Sequence, residues 1–293
     1  MPTSSRRKAG STVAEGAPDL DRLALEAAGG DKRALGKLCR ELQHPIYRLA
    51  LRMLSDPHDA EDATQEVLVR IVTNLGSFEG RSRFMTWAYT VATRQLLRTR
   101  KRLVESSVRG ADAFAAALDA GLGPAPDDVE GEAEYEEFCA EVRISCTYGM
   151  LLCLSREVRI AYILGDLMGM PDRDGAEICE ITPAAFRQRL ARARRTMRKI
   201  IANRCGLVRE ENPCRCGRQI KSSEKLGVLD RGDLKLATHP RRDRRPIRAE
   251  TIERAAEQLD LAAAMAEVYR SDPEFAAPRK VYEGLRRAAP DLL

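Results

Sequence analysis

The stretch Ile178–Lys199, ICEITPAAFRQRLARARRTMRK, decides the fold class of this chain. Thr182 has the side chain of a helix N-cap, and Pro183 suits the first helical position because its missing N–H is not needed there. Phe186, Leu190, Ala193 and Met197 recur at helical spacing and form one apolar face. Arg187, Arg189, Arg192, Arg194, Arg195, Arg198 and Lys199 fill the remainder, with no acid among them. Upstream, Asp174 to Cys179 reads as a short helix, and Glu180-Ile181 leaves room only for a tight turn. A short helix, a tight turn and a basic second helix make a helix-turn-helix, whose second helix presents its N-terminal residues to a DNA major groove. The competing reading is a solvated or partner-facing basic helix, which is the commoner fate of such a pattern.

The rest of the chain is also helical in pattern. Aromatic residues make up 5% of the sequence, while Ala, Leu and Arg abound, a composition that favours helices over sheets. The 293 residues suffice for two or three small domains. The formal charge is only +5, so the clustering of the cations matters more than their sum. No run of about 18 apolar residues exists to span a membrane. Arg6, Arg7 and Lys8 are not followed by the apolar segment of a signal peptide. Eight cysteines without such a leader argue for reduced thiols and a cytoplasmic setting.

In chain order, residues 1–18 read as a disordered tail rich in Ser, Gly and charge. Asp19 caps a helix that Gly29-Gly30 ends; Asp31 caps the next, and Pro45 is expected to begin a third, Ile46–Leu54. After Ser55-Asp56-Pro57 comes an acidic helix. Asp59, Asp62 and Glu66 stand at i, i+3 and i+7 on one face, and Val67, Leu68, Ile71, Val72 and Leu75 form the buried side. Acids in the first turns favour the helix dipole. That accounts for Asp59 and Asp62 better than for Glu66, two turns in. His58 is the single histidine near ligand spacing and no nucleophile is close, so a docking face for a basic partner is favoured over metal or acid–base chemistry.

Gly76 to Arg83 reads as a loop, and a helix follows from Phe84 to about Arg102. Its apolar stripe is Phe84, Met85, Ala88, Ala92 and Leu96. Trp87, Arg94, Arg98 and Lys101 share a neighbouring face. An aromatic beside cations can stack on unpaired bases while the cations hold phosphate; the alternative is that Trp87 packs at the edge of the core.

These residues carry a family resemblance. The run DAEDATQEVLVRIVTNLGSFEGRSRFMTWAYTVATRQLLRTRKR resembles region 2 of bacterial sigma factors, and LSREVRIAYILGDLMGMPDRDGAEICEITPAAFRQRLARARRTMRKI resembles region 4. The order is right, no room remains for a full region 3, and no acidic N-terminal domain precedes them. The layout is that of the compact extracytoplasmic-function group. The resemblance implies an all-α fold of two small helical domains: residues 19–104 as region 2 and 141–203 as the region 4 helix-turn-helix. They are joined by a flexible acidic linker, 105–140, and followed by a partly helical, Cys-containing extension, 204–293.

The resemblance also implies roles. Asp59, Glu61, Asp62, Gln65 and Glu66 would bind the beta-prime subunit of core RNA polymerase, within an assembly that includes the beta subunit. Phe78, Arg81, Arg83, Trp87, Arg94, Gln95 and Arg98 would capture the minus-ten promoter element and a flipped base. Thr182, Ala184, Arg187, Gln188, Arg189 and Arg192 would address the minus-thirty-five element, where Arg bonds guanine bidentately and Gln reads adenine. Such a protein directs promoter-specific initiation and promotes DNA melting without being an enzyme. A stand-alone helix-turn-helix regulator binding duplex DNA as a dimer is the alternative, and an all-helical adaptor docking through its acidic helix is a rival that involves no DNA.

Three departures stand out. Glu180 occupies a turn position where the family has Gly, so a positive φ there would strain it. Gly175 replaces a large apolar residue, which is expected to thin the core of the motif. Residues 171–174 are unusually polar for a helix start.

The linker reads as solvated, or else as a nucleic-acid mimic in the polymerase's RNA-exit path. Cys139, Cys146 and Cys153, seven apart, read as small core residues. Cys205, Cys214 and Cys216 invite a zinc reading that lacks a clear fourth ligand, with His239 as the candidate. They equally invite a redox reading, because nearby arginines are expected to lower thiol pKa. Arg241 to Arg245 is a basic run. Ile252, Ala255, Ala256, Leu259, Ala263 and Ala266 form an amphipathic helix, Ser271-Asp272-Pro273 breaks it, and Pro278 to Ala289 forms a last one. The tail is expected to fold back on the two modules in place of a separate anti-sigma factor, although such a partner remains open.

Overall fold

Capping residues set the helix boundaries at the N-terminal end. In the computed structural model, which describes residues 19–99, 110–126, 128, 131–243 and 261–290, the Asp19 carboxylate accepts from the backbone N–H of Asp21 and Arg22 and opens α1, Leu20–Ala28. Gly30, at φ +98°, ends it. Asp31 then caps α2, Lys32–Leu54. The separate helix expected from Pro45 does not form; α2 runs straight through the proline. Pro45 removes one helical bond and crowds the preceding turn. On both sides of it, however, Leu38, Leu42, Ile46, Tyr47 and Leu49 are almost wholly buried. Burial of that continuous stripe outweighs the local preference.

Asp56 caps α3, Pro57–Asn74, by accepting from the Asp59 N–H at 2.9 Å. After the loop, α4 spans Phe84–Arg98. Its first turn is tied to α1 by the Phe84 N–H bonding Asp21 Oδ1 at 2.5 Å. Helices α1 to α4 share one core, centred on Leu38, Leu42, Val67, Leu68, Phe84 and Leu96. Arg100 and Lys101, and the helix end expected near Arg102, lie outside the described residues, as do the tail 1–18 and most of the expected helix around Ile252–Leu259.

The segment expected to be a solvated linker is partly structured. It carries α5, Ala111–Ala120, and its end belongs to α6, Glu132–Leu152. Phe114 lies so close to Gly149 of α6 that a Cβ on that glycine would sit 2.8 Å from the ring. Helix α7, Arg156–Tyr162, continues into a π-helical turn, Ile163–Leu167. Helices α8, Asp172–Ile178, and α9, Pro183–Ile201, complete the helix-turn-helix. Thr182 caps α9 by accepting from the Ala185 N–H at 3.2 Å. Acidic α5 sits against the basic end of α9: Lys199 bonds Asp112 at 2.9 Å, and Arg204 bonds both Asp119 oxygens at 2.8 Å.

The two modules are joined by buried guanidinium groups. Arg159, 1% exposed, donates to the Leu151 carbonyl at 2.9 Å, the Leu154 carbonyl at 3.0 Å and the Met53 carbonyl at the end of α2. Arg156 donates to the Leu96 carbonyl at 3.3 Å and to that of Thr99 at the end of α4.

The extension begins with a parallel bridge between Cys205 and Cys214, followed by a 3-10 turn, Cys216–Gln219, and α10, Ile220–Lys225. Strand β1, Arg241–Asp243, pairs antiparallel with β2, Glu274–Phe275. Helix α11 spans Leu261–Arg270 and α12 spans Arg279–Ala288. Pro278 precedes the latter, as expected. The extension shares the main core through Met265, Tyr269, Phe275, Val281 and Leu285. Buried Asp272 anchors it to α6, accepting from Arg143 at 2.6 Å and Thr147 Oγ1 at 2.8 Å.

Candidate functional site

Three surfaces carry the chemistry expected from the sequence. The first is α3. Asp62 and Glu66 are exposed, Asp59 and Gln65 are half-buried, and Glu61 is buried at 6% exposure. Glu61 is therefore not on an open acidic face. It forms an ion pair with Lys280 of α12, and Gln65 Nε2 donates to the Lys280 carbonyl at 3.3 Å. Glu66 accepts from Gln95 Nε2 at 2.6 Å, which links α3 to α4.

The second surface is α4 with the loop before it. Trp87 is half-buried, stacked near Phe84 at 5.6 Å between ring centroids and tilted against Phe78 at 5.7 Å. Trp87 thus packs at the edge of the core, as one sequence reading expects, and stays partly exposed. Phe78 is a different case. At 6% exposure and edge-on to Phe84 at 5.2 Å, it is a core residue, not an available nucleic-acid contact. The apolar ring closes the loop over α4, and the reading from family position overlooked that burial. Arg81, Arg83, Arg94 and Arg98 are exposed and Gln95 is half-buried.

Two of those cations meet the helix-turn-helix. Arg83 bonds Asp174 of α8 at 3.0 Å. Arg94 grips Glu180 with two hydrogen bonds of 2.6 and 2.5 Å. The hydrogen bonds and charge of Arg94 hold the Glu180 carboxyl below the usual carboxylate range. Glu180 has φ +55°, so the strain anticipated at this turn is present. The ion pair gives a non-glycine residue a role at a position whose backbone favours glycine. Nothing in the sequence pattern pairs Arg94 with Glu180, 86 residues away.

The third surface is α9. Thr182, Ala184, Arg187, Gln188 and Arg192 are exposed and Arg189 is half-buried. Arg187 lies 3.5 Å from Asp172. Arg194 is held by Asp166 of the π-turn through bonds of 2.9 and 2.6 Å, so it braces α9. The expected thinning at Gly175 is overturned. A Cβ there would lie 2.3 Å from Phe186 Cζ, because the buried Phe186 ring already fills the space.

His239, the candidate fourth ligand, bonds the Tyr47 hydroxyl at 2.7 Å and stacks on its ring. Among the described residues, no three or more Cys, His, Asp or Glu side chains are arranged to hold a metal ion, so Cys205, Cys214 and Cys216 do not form the zinc set considered from the sequence. Nor are the thiols activated. Burial raises Cys205 and Cys214 and pushes Cys216 up to about 12, outweighing the nearby arginines. These three and Cys146 line a largely apolar cavity of about 420 Å³ between α6 and the extension.

Comparison with known proteins bears on the two modules. Residues 38–104 match the family model for sigma-70 region 2, and residues 145–197 match that for sigma-70 region 4. The chain is 30% identical over 173 residues to the probable RNA polymerase sigma-C factor of Mycobacterium bovis, covering 59% of this chain and 85% of that one. It is 28% identical over 173 residues to the RNA polymerase sigma-H factor of Pseudomonas aeruginosa, covering 59% and 88%. Among solved structures, it is similar to the sigma factor RpoE of Bartonella quintana in complex with the anti-sigma factor NepR, at 21% identity and a TM-score of 0.37, covering 55% of this chain and 92% of that one.

Proposed function

The chain belongs to the extracytoplasmic-function sigma factors, which direct promoter-specific initiation by RNA polymerase, and from that premise we propose which of its residues do this work. The family consists of initiation factors, not enzymes. Among the described residues no helix is long and apolar enough to cross a membrane. We place the protein in the cytoplasm with core polymerase and promoter DNA as its partners.

Asp59, Asp62 and Glu66, with Glu61 and Gln65 beside them, form the polymerase-docking edge. The buried side of α3 fixes their direction, and their charge suits a basic partner. The open edge of Trp87 receives a base unstacked from the minus-ten strand. Stacking of this kind is worth about 1–3 kcal/mol per base, which favours melted over paired DNA without any fuel. Arg81, Arg94 and Arg98 neutralise the phosphates of that strand. Phe78 supports Trp87 from beneath and does not touch DNA.

Helix α9 enters the major groove at the minus-thirty-five element. Arg187 and Gln188 reach base edges, while Arg192 and other cations hold phosphate. Thr182 fixes the helix start, and Ala184 leaves space for the backbone to approach.

The observation that carries this reading is the joint placement of a half-open Trp87, exposed Arg94 and Arg98, and an adjoining acidic helix within one module. The test is transcription in vitro with purified core polymerase. Transcripts starting at a defined promoter are expected. If none appears while the protein alone shifts a palindromic duplex, the stand-alone regulator takes its place.

A further inference from the structure

We propose that α12, the last described helix, is a built-in competitor that occupies the polymerase-docking edge of α3. The inference rests on the reading of α3 given above. Helix α12 is amphipathic and basic. Val281 and Leu285, one turn apart, are fully buried, whereas Arg279, Lys280, Arg286 and Arg287 are exposed against a single acid, Glu283. A basic helix therefore lies on the acidic one, as a basic partner would.

The contacts fall on the proposed docking residues themselves. Lys280 pairs with Glu61, the Lys280 carbonyl accepts from Gln65, and Gly284 sits against the Gln65 amide so closely that a Cβ there would come within 2.6 Å. Glycine at 284 thus brings the backbone of α12 directly onto α3 at a cost in helix propensity. Asp62 and Glu66, on the adjoining side, remain exposed. The docking edge is half covered, which leaves a foothold from which polymerase can displace the helix.

Helix α12 is also suited to leave. At ten residues it is too short to persist as a helix alone, so its contacts with α3 and α2 hold it in place. On the α2 side these are Tyr282 with Arg40, at 3.1 Å from hydroxyl to guanidinium. The chain before it is fixed independently, by β1–β2 and by Asp272 on α6. Release of α12 uncovers Glu61 and Gln65 without dismantling the rest of the extension.

A helix that closes the edge most of the time lowers apparent affinity by the fraction of open molecules. The experiment measures the affinity of the full chain for core polymerase beside that of a chain ending at Pro278 and the full-length variant Lys280→Glu, which sets a second carboxylate against Glu61. Both variants should bind about tenfold more tightly if the edge is open in roughly a tenth of molecules. Lys280→Glu keeps Val281 and Leu285, so it still reports if the truncated chain fails to fold. Unchanged or weaker binding by a folded Lys280→Glu overturns the proposal. Asp62→Lys made in the full chain separates the two claims. If it abolishes binding while Lys280→Glu changes nothing, α3 docks polymerase but α12 does not compete; if it binds normally, the docking reading itself fails.

Discussion

Replacing Gly175 by alanine would ordinarily stabilise a helix, by up to about 1 kcal/mol. Here it should do the opposite. The new methyl carbon would lie 2.3 Å from Phe186 Cζ and 2.7 and 2.8 Å from the two Cε atoms, against the roughly 3.5–4.0 Å at which carbons pack. The ring must retreat by more than about 1 Å, and it is completely buried. On its own helix, Leu190 is already pressed against Gly165, where a Cβ would lie 2.8 Å away. Forced overpacking costs about 1–3 kcal/mol, which exceeds the propensity gain. A net loss of up to about 2 kcal/mol follows, a fall in Tm of up to roughly 8 °C at about 2–4 °C per kcal/mol. Thermal melts would read the loss, and binding to a minus-thirty-five duplex would read the tilt of α9. Phe186→Leu in the same chain should recover part of the loss, since it removes the ring edge that the methyl strikes. A Gly175→Ala protein that melts higher than the parent would refute the reasoning.

At the turn, Glu180→Gly relieves a left-handed backbone worth about 1–2 kcal/mol but loses an exposed ion pair worth at most about 1 kcal/mol. Its stability should stay level or rise slightly in urea melts, whereas Glu180→Ala, still strained, should fall. Both free Arg94, so permanganate footprinting of promoter opening should strengthen in each. Trp87→Ala should keep polymerase affinity while opening falls about 5- to 150-fold, the equivalent of about 1–3 kcal/mol of stacking; loss of both together would make Trp87 a packing residue only. Burial pushes the Asp272 carboxyl up to about 6 despite Arg143, from about 3.9 when unfolded. Its contribution is therefore fullest below about pH 4 and is lost as pH rises through 6, by roughly 3 kcal/mol. Relative to the parent, Asp272→Asn should gain stability between pH 4 and pH 7 in denaturant titrations; a constant difference or the opposite slope would contradict this.

Signals local to a helix were legible in the sequence. Asp19, Asp31 and Thr182 cap the helices they were expected to cap, because a cap concerns three residues and one carboxylate or hydroxyl. The Phe186–Leu190–Ala193–Met197 face is buried as its spacing predicts. What escaped was set by partners far along the chain. Pro45 lies inside a helix because tertiary burial on both sides overrides it. Phe78 looked available for DNA, but Phe84 and Trp87 enclose it. Gly175 is a deficit by its own sequence, but the Phe186 ring fills the space beside it. The arginines around Cys214 looked activating, yet desolvation of the thiols is the larger effect. Lys280 could not be matched to Glu61 from any periodicity, since 219 residues separate them.

The closed arrangement cannot be the one that engages both promoter elements. Elements named for positions ten and thirty-five lie about 25 base pairs apart, or about 85 Å at roughly 3.4 Å per pair. A folded chain of 293 residues has a radius of gyration of about 19 Å, hence a diameter near about 50 Å. Helices α4 and α9 must therefore separate. Besides the apolar core that runs through both modules, two sets of polar joints of different strength stand in the way. Arg83–Asp174 and Arg94–Glu180 are exposed and weak. Arg156 and Arg159 are buried and bonded to carbonyls of the other module, and breaking those bonds without replacement leaves charges unsatisfied. Opening by DNA alone would have to meet that cost, whereas core polymerase can supply new partners to both modules at once. Fluorophores placed at exposed Glu79 and Arg195 should then show an unchanged distance when the free protein meets promoter DNA, and a lengthening by tens of ångströms when core polymerase binds. Lengthening with DNA alone would mean that the buried arginines do not hold the modules together.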